Sequence, residues 1–243
     1  MVDLPGSVID LEASGGQAFA VLKPCPPSAP DCSSTLPATL WHASTAGDQW
    51  APVSGVTGVG GVSSPSIFLH GASGWVILNG SNAVTELFYT GDGTTWTRLN
   101  NPCTGNTPGL WSVAAVESTV GFLCIGQGAS GQEDKQLLVS TDGGRTTRLA
   151  GTPPRLGDGG VLAALSPTTW ALANSSAASF IYRSTDSGHT WTTEVEFNDG
   201  GEGFSDFGFT TASQAVAIHG PRHDNAQLII SRDGGTTWTP VIF

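Results

Sequence analysis

Three carboxylates, Asp10, Glu117 and Asp206, fall in or beside short apolar segments and could meet at one site. Glycoside hydrolysis uses carboxyl groups in this way, one as general acid and another as nucleophile or base. The three would then serve as general acid, stabiliser and nucleophile. The alternative is that each is a polar residue at a strand end, hydrogen-bonded to a neighbouring sheet. The sequence favours this structural role and leaves the catalytic one open.

Other kinds of chemistry find less support in the sequence. The histidines His70, His219 and His223 have no nucleophile-elbow motif beside them. The glycines around Gly60 do not precede a helix, so they do not form a phosphate-binding loop. No Cys-x-x-Cys or paired histidine motif suggests a zinc site. We therefore expect neither a metal nor a cofactor.

A repeated motif shows which elements would have to position these residues. Ser-x-Asp-x-Gly-x-Thr-Trp occurs at 184–191 and again at 231–238. A copy at 140–147 has Thr in place of the final Trp, and one at 89–96 has its Asp one place later. A copy at 43–50 keeps only the Gly and the Trp. Repeats of this length indicate an array of equivalent supersecondary units.

Each unit contains four short apolar or alternating segments separated by turn residues, which predicts four β-strands and no helix. A unit of four strands is typical of a β-propeller blade. We expect one all-β domain over 1–243, a propeller of five four-stranded antiparallel blades, with part of a six- or seven-bladed ring as the alternative. The expected blades lie at approximately 5–54, 64–100, 109–150, 160–196 and 203–243.

The motif resembles the Asp-box, or bacterial neuraminidase repeat, of sialidase-like propellers. In that family the box is the hairpin between the third and fourth strands of a blade, at the rim. The resemblance therefore implies that the box residues stabilise the fold: they are Asp142, Asp186, Asp233, Trp96, Trp191 and Trp238. A calcium role is disfavoured because one carboxylate per turn supplies too few oxygen ligands.

The same resemblance raises the question of sialidase activity. Sialidases hold their substrate with three arginines and use a tyrosine nucleophile. This chain lacks the family's Arg-Ile-Pro motif near its start, and its tyrosines, Tyr89 and Tyr182, are poorly placed. We therefore do not expect a sialidase. A different glycosidase stays open, because five-bladed furanosidases use three carboxylates from their inner strands.

The charge of the chain limits its partners. Acidic residues outnumber basic ones 20 to 9, a net charge of −11, so nucleic acid or an anionic membrane would be repelled. No apolar run is long enough to span a membrane. A cationic partner is electrostatically allowed.

The four cysteines fall into two pairs, and we predict the disulfides Cys25–Cys32 and Cys103–Cys124. Four reduced cysteines are the alternative. Disulfides indicate an oxidising compartment, so we expect a secreted or cell-envelope protein, and the family resemblance suggests a bacterial one. No signal sequence follows Met1, and we infer that the natural protein has one upstream.

A binding surface needs fewer specific residues than a catalytic site does. Trp111 is the best candidate for an exposed aromatic residue, and Arg155, Arg222 and His223 lie in loops at the propeller face where sites are usually built. We therefore expect a monomeric module that binds a glycan or a protein without catalysis. A carbohydrate-active hydrolase is the alternative.

Overall fold

The computed structural model describes residues 6–23, 37–47, 49–58, 65–79, 85–220 and 226–242. These residues form five four-stranded antiparallel sheets, in each of which the spatial order of the strands follows the chain. The predicted class, an all-β propeller of five four-stranded blades, is confirmed. Over the described ranges the secondary structure contains no helix, and so none that could cross a membrane.

The chain divides into two compact units, at Asn101 and Pro102. The first unit holds blades 1 and 2. Its strands are β1 (Ser7–Ser14), β2 (Gln17–Lys23), β3 (Thr39–Ser44), β4 (Ala51–Thr57), β5 (Ser66–His70), β6 (Ser73–Asn79), β7 (Thr85–Thr90) and β8 (Trp96–Leu99).

The second unit holds blades 3, 4 and 5. Its strands are β9 (Gly109–Val116), β10 (Thr119–Ala129), β11 (Gln132–Ser140), β12 (Arg148–Gly151), β13 (Asp158–Ser166), β14 (Thr169–Ser175), β15 (Ser179–Ser184), β16 (Thr192–Phe197), β17 (Phe204–Phe209), β18 (Ala215–His219), β19 (Gln227–Ser231) and β20 (Thr239–Pro240).

The core of each unit lies between consecutive blades. In the first unit, Phe19 and Leu40 of blade 1 pack in one cluster with Val76 and Phe88 of blade 2. In the second unit one cluster joins blades 3 and 4, and another joins blades 4 and 5. Second strands are the most buried because both of their faces are covered, which explains their nearly continuous apolar sequences.

Trp170 shows how closely two blades approach. Its side chain is fully buried in the cluster between blades 3 and 4. A Cβ added at Gly121 on β10 would lie 2.5 Å from Cζ3 of this indole. Gly121 therefore makes the notch into which Trp170 fits.

One predicted disulfide lies within the described residues, and it is confirmed. Cys103, in the segment that precedes β9, is bonded to Cys124 on β10, with a Cα–Cα distance of 5.4 Å. Both residues are buried. Cys25 and Cys32 lie outside the described residues.

The repeated motif forms the hairpin between the third and fourth strands of a blade. In blade 4, Asp186 accepts hydrogen bonds from the Thr190 backbone N–H at 2.9 Å and from the Thr190 hydroxyl at 2.6 Å. The Ser184 hydroxyl donates to the same carboxylate and accepts from the Gly188 N–H. Blades 3 and 5 repeat these bonds around Asp142 and Asp233. We call residues 140–147, 184–191 and 231–238 the repeat hairpins.

Blade 2 carries a shorter version of this hairpin. Thr90 takes the place of the serine, and Asp92 accepts from the N–H groups of Thr94 and Thr95, each at 2.8 Å. The Asp that looks displaced in the aligned sequence therefore has the ordinary role, in a turn one residue shorter. The shortening has a consequence for the indoles. Trp191 donates to the Gly188 carbonyl at 2.9 Å, whereas the buried Nε1 of Trp96 has no acceptor among the described residues.

The notch at Gly121 generates a prediction about stability. Gly121→Ala should lower the free energy of unfolding by about 1–3 kcal/mol, because the added methyl group overlaps the Trp170 ring. Gly208→Ala on β17 is the matched control, since its Cβ would meet nothing within 4 Å. Its effect should stay within about 0.5 kcal/mol. Urea unfolding measures both, and equal losses would contradict this packing.

The repeat hairpins generate a prediction about pH. The hydroxyl and N–H of Thr190, followed by Ser184, lower the pKa of Asp186 to about 2. A depressed carboxyl pKa stabilises the fold above the unfolded-state value, about 3.9, and this contribution is lost as pH falls through the folded value. Asp186→Asn should therefore lower the melting temperature at neutral pH, and the difference from the natural chain should shrink between about pH 4 and pH 2.

Glu202→Gln is the control for this series, because it removes an exposed carboxylate far from the hairpins. Its melting temperature should follow that of the natural chain at every pH. A gap between the Asp186→Asn variant and the natural chain that stays constant down to pH 2 would show that the carboxylate charge is not what stabilises the hairpin.

Candidate functional site

The two ends of an antiparallel blade carry different loops. Repeat hairpins lie at one end, and the connections between blades lie at the other, with the loops between second and third strands. In the second unit we call residues 102–111, 125–135, 151–161, 174–179, 197–206 and 219–220 the connector end. Its charged residues are six carboxylates and two cations: Glu133, Asp134, Asp158, Asp199, Glu202 and Asp206, with Lys135 and Arg155.

Trp111 is the large exposed aromatic residue of the connector end. A β-bulge in β9 leaves it unpaired, because Leu110 faces Cys124 and Ser112 faces Leu123. Trp111 is 46% exposed, so the exposure expected from the sequence is confirmed. Its inner side lies against the next blade, where a Cβ on Gly159 would come within 2.7 Å of the ring. The absence of a side chain at Gly159 makes room for Trp111.

The connection from blade 3 to blade 4 runs beside Trp111 and is docked onto β11. The Glu133 N–H donates to the Arg155 carbonyl, and the Gly157 N–H donates to the Gly131 carbonyl, each at 2.9 Å. A Glu133 carboxylate oxygen accepts from the Gly159 N–H at 2.6 Å. These bonds fix the backbone that supports the indole. Asp158 is left exposed between them.

The Lys135 side chain lies under this connection and forms hydrogen bonds with it. Its side chain is almost completely buried, and its ammonium group donates to the carbonyls of Arg155 and Gly157. Burial lowers the pKa of Lys135, while the carboxylates of Glu133 and Asp158 act in the opposite direction. A buried ammonium with two backbone acceptors is a structural tie, because its donors already point into the protein.

The connection from blade 4 to blade 5 is held by a second polar network. Asp199 accepts hydrogen bonds from the Ser179 hydroxyl and the Gly201 N–H, and it pairs with His219 at 2.6 Å. Phe197 stacks on the His219 ring with centroids 4.2 Å apart. Burial acts to raise the pKa of Asp199, but the hydrogen bonds from Ser179, His219 and Gly201 outweigh it, so the pKa lies below its ordinary value.

The predicted carboxylate trio separates into two kinds of position. Asp10 and Asp206 both follow a bulge in the first strand of a blade, and each accepts from the next residue's N–H. Asp10 also accepts from the Ile67 N–H of blade 2 at 2.8 Å, which is the structural role that the sequence favours. Its counterpart in blade 3 is Ser112, which accepts from the Leu162 N–H.

Glu117 occupies a different level of its blade. It lies in the turn between β9 and β10, five residues beyond Ser112, so about 16 Å along the strand. Glycosidase carboxyl pairs are about 5–10 Å apart. Glu117 at the hairpin end and Asp206 at the connector end therefore do not form such a pair. The catalytic roles of the trio stay predictions without geometric support.

The residues that a sialidase would need also have other partners. The Tyr182 hydroxyl donates to the Leu156 carbonyl, and burial raises the pKa of Tyr182 to about 12. A phenol in that state is a poor nucleophile. Arg98 on β8 pairs with Glu86 at 2.7 Å, and Arg148 starts the outer strand β12.

Of the three other binding candidates, the structure describes one. Arg155 lies at the connector end, where its Nε pairs with an Asp134 oxygen at 3.0 Å. Arg222 and His223 lie outside the described residues. The sequence pattern does not single out Lys135, Glu133 or Gly159 as site residues, because their roles depend on contacts made across a blade boundary. Among the described residues, no group of three or more His, Cys, Asp or Glu side chains could hold a metal ion.

A pocket at the hairpin end offers a different surface. It has a volume of about 430 Å³ and lies between blades 3 and 4. Thr119, Thr147 and Ser187 line it with Arg148, and none of its lining residues is a carboxylate. It therefore lacks the acid and base that glycoside hydrolysis needs.

Comparison with known proteins supports the fold. No protein-family model and no curated protein matches the chain. Among solved structures, Trypanosoma rangeli sialidase in complex with the inhibitor DANA matches with a TM-score of 0.64 and 11% identity, over 98% of this chain and 48% of the sialidase. A Hadza microbial sialidase matches with a TM-score of 0.62 and 15% identity, over 94% and 56%.

A non-sialidase neighbour is YCF48 bound to D1 peptide, with a TM-score of 0.50 and 15% identity, over 98% of this chain and 82% of that one. At these identities the likeness shows a sialidase-like propeller fold and nothing finer. The chain spans about half the length of the sialidases that it matches.

The contact between Trp111 and Gly159 generates a prediction about the site. Gly159→Ala should displace the indole, because its Cβ would lie 2.7 Å from Cε2, and the Trp111 indole N–H resonance should shift. Gly105→Ala is the matched control: Gly105 also has a positive φ, but a Cβ there meets nothing within 4 Å. It should leave that resonance in place. Equal shifts in both variants would contradict the packing.

Proposed function

We propose that this protein is a non-catalytic binding module that recognises a ligand or protein partner through its connector end. The observation that carries the proposal is the half-exposed Trp111, which is supported from behind by Gly159. Arg155, Leu156 and Asp158 are exposed in the connection that leads to Gly159. We call these four exposed residues, Trp111, Arg155, Leu156 and Asp158, the Trp111 surface.

The composition of the Trp111 surface supports binding. Tryptophan and arginine are enriched among the residues that dominate binding energies. Leu156 adds a second exposed apolar side chain, at 42%. The hydrogen bonds that dock the connection onto β11 keep these groups in place before a ligand arrives, which lowers the entropy that binding must overcome.

The catalytic alternative has weaker support. A carbohydrate-active hydrolase would need two carboxyl groups across a substrate, and Glu117 and Asp206 lie at opposite ends of their blades. Asp206 is the member of the trio that is exposed at the connector end, so it is the residue on which to test such an activity. The structural neighbours are compatible with either function, since Trypanosoma rangeli sialidase is found in complex with sialic acid and YCF48 is found bound to D1 peptide.

We further propose that the repeat hairpins are Asp-boxes and that the protein is a single exported propeller module. The hydrogen bonds around Asp142, Asp186 and Asp233 support the first part. The buried Cys103–Cys124 disulfide supports export, because disulfides persist in oxidising compartments.

A binding experiment tests the main proposal. Glycan and peptide arrays should yield ligands for the natural chain, and Trp111→Ala should weaken those ligands at least tenfold, about 1.4 kcal/mol or more, as loss of a central aromatic anchor does. Leu149→Ala is the control, because Leu149 is 56% exposed on β12, away from the Trp111 surface. Unchanged binding by Trp111→Ala would overturn the proposal.

Activity assays test the alternative directly. The natural chain should release no nitrophenol from a panel of 4-nitrophenyl glycosides. Release that disappears in Asp206→Asn would replace the binding proposal with the hydrolase.

A further inference from the structure

The connector end of the second unit is more acidic than its hairpin end. Its eight charged residues are six carboxylates and two cations. Of these cations, Lys135 is buried under the connection, and Arg155 is already paired with Asp134. The described hairpins and turns at the other end carry Glu117, Asp142, Asp186 and Asp233 together with Arg145, Arg148, Arg183 and Arg232, and Glu194 and Glu196 lie along β16 between the two ends. Among these described residues of the second unit, the excess of negative charge lies at the connector end, where Trp111 is.

The carboxylates of the connector end are not equally available to a partner. Glu133 bonds the Gly159 N–H, Asp134 bonds Arg155, and Asp199 bonds Ser179 and His219. Asp158 is exposed and directly precedes the glycine on which the Trp111 ring lies. Among the described residues around the indole, Asp158 is therefore the carboxylate best placed to meet a ligand.

An indole face next to a carboxylate has a specific chemical preference. The face of a tryptophan ring attracts a cation, most often the guanidinium of arginine or the ammonium of lysine. An adjacent carboxylate accepts hydrogen bonds from the same group and strengthens the attraction. The surrounding negative charge raises the rate at which a cationic partner arrives and repels an anionic one.

The deeper inference rests on the proposed binding function. We propose that the partner is a polypeptide segment that places a basic side chain, arginine or lysine, between Asp158 and the exposed face of Trp111. Leu156 would contact the apolar part of the same segment, and the ion pair between Arg155 and Asp134 would form the polar rim. A neutral glycan would gain nothing from the charge imbalance of the connector end, which is why the structure favours a basic polypeptide.

The test uses the full chain labelled with ¹⁵N and a matched set of short peptides. The peptides share a Gly/Ser scaffold and carry arginine, lysine, citrulline or glutamate at the same positions. Citrulline keeps the shape of arginine and removes its charge. Binding is followed at the indole N–H resonance of Trp111, which Trp111→Phe identifies by its disappearance.

The arginine and lysine peptides should shift the Trp111 resonance, with the arginine peptide binding about tenfold more tightly than the citrulline peptide. Asp158→Asn should weaken the arginine peptide about two- to fivefold and leave the citrulline peptide unchanged. Raising the salt concentration from about 0.05 to about 0.5 M should remove most of the difference between the two peptides, because the contact is exposed. Glu117→Gln, which removes an exposed carboxylate at the hairpin end, should change nothing.

Several outcomes would overturn the inference. Equal binding of arginine and citrulline peptides would show that charge is not recognised, and equal losses in Asp158→Asn and Glu117→Gln would show unspecific attraction to an acidic protein. Failure of every basic peptide to shift the Trp111 resonance would also refute it. If array ligands without a basic group bind in a manner that depends on Trp111, this inference fails while the binding function stands. If no ligand depends on Trp111, both fail.

Discussion

The constraint on which the structure depends is that a single four-stranded sheet of this chain has apolar residues on both faces. The second strands show this most clearly: Val76, Ile77 and Leu78 are consecutive, and all three are fully buried. Such a sheet becomes stable only between other sheets, so the blades must pack face to face. Packing of this kind occupies the faces and leaves only the strand ends for loops. The site chemistry is therefore restricted to the ends of the blades.

The two ends of a blade are stabilised by different hydrogen-bond networks. At the hairpin end, each repeat hairpin is closed by hydrogen bonds within its own eight residues. Every blade that has this hairpin therefore needs the same residues, and the sequence repeats. At the connector end, bonds cross from one blade to the next, as between Lys135 and Gly157 or between Asp199 and His219. Bonds across a boundary need only one suitable residue on each side, and no repeat results. The repeated part of each unit therefore stabilises the fold, whereas the part that does not repeat forms the surface at the connector end.

This difference explains what the sequence could predict. The hairpins at 184–191 and 231–238, the number of blades, the absence of helix from the described residues and the Cys103–Cys124 disulfide follow from local patterns. Trp111 was predicted to be exposed, whereas the repeated motif assigns Trp96, Trp191 and Trp238 to hairpins. Lys135 could not be found in this way, since nothing in its own segment distinguishes a buried lysine from an exposed one. Its burial depends on Arg155 and Gly157, twenty and more residues away, and on the fold that brings them to β11. The level of Glu117 was missed for a related reason: its place in a two-residue turn became visible only with the register of β9 and β10.

The buried ammonium of Lys135 also bears on how the Trp111 surface works. A charge at that depth is unfavourable unless it is fully bonded, and its two carbonyl acceptors both belong to the connection that carries Gly159. Movement of the connection away from β11 would break both of these hydrogen bonds, so the bonds oppose that movement. The Glu133 carboxylate adds a bond to the Gly159 N–H from the same strand. Two ionised groups of β11 therefore hold the backbone against which the indole rests, and their charges oppose one another. Asp158, which is exposed in the same connection, adds a negative charge next to Gly159.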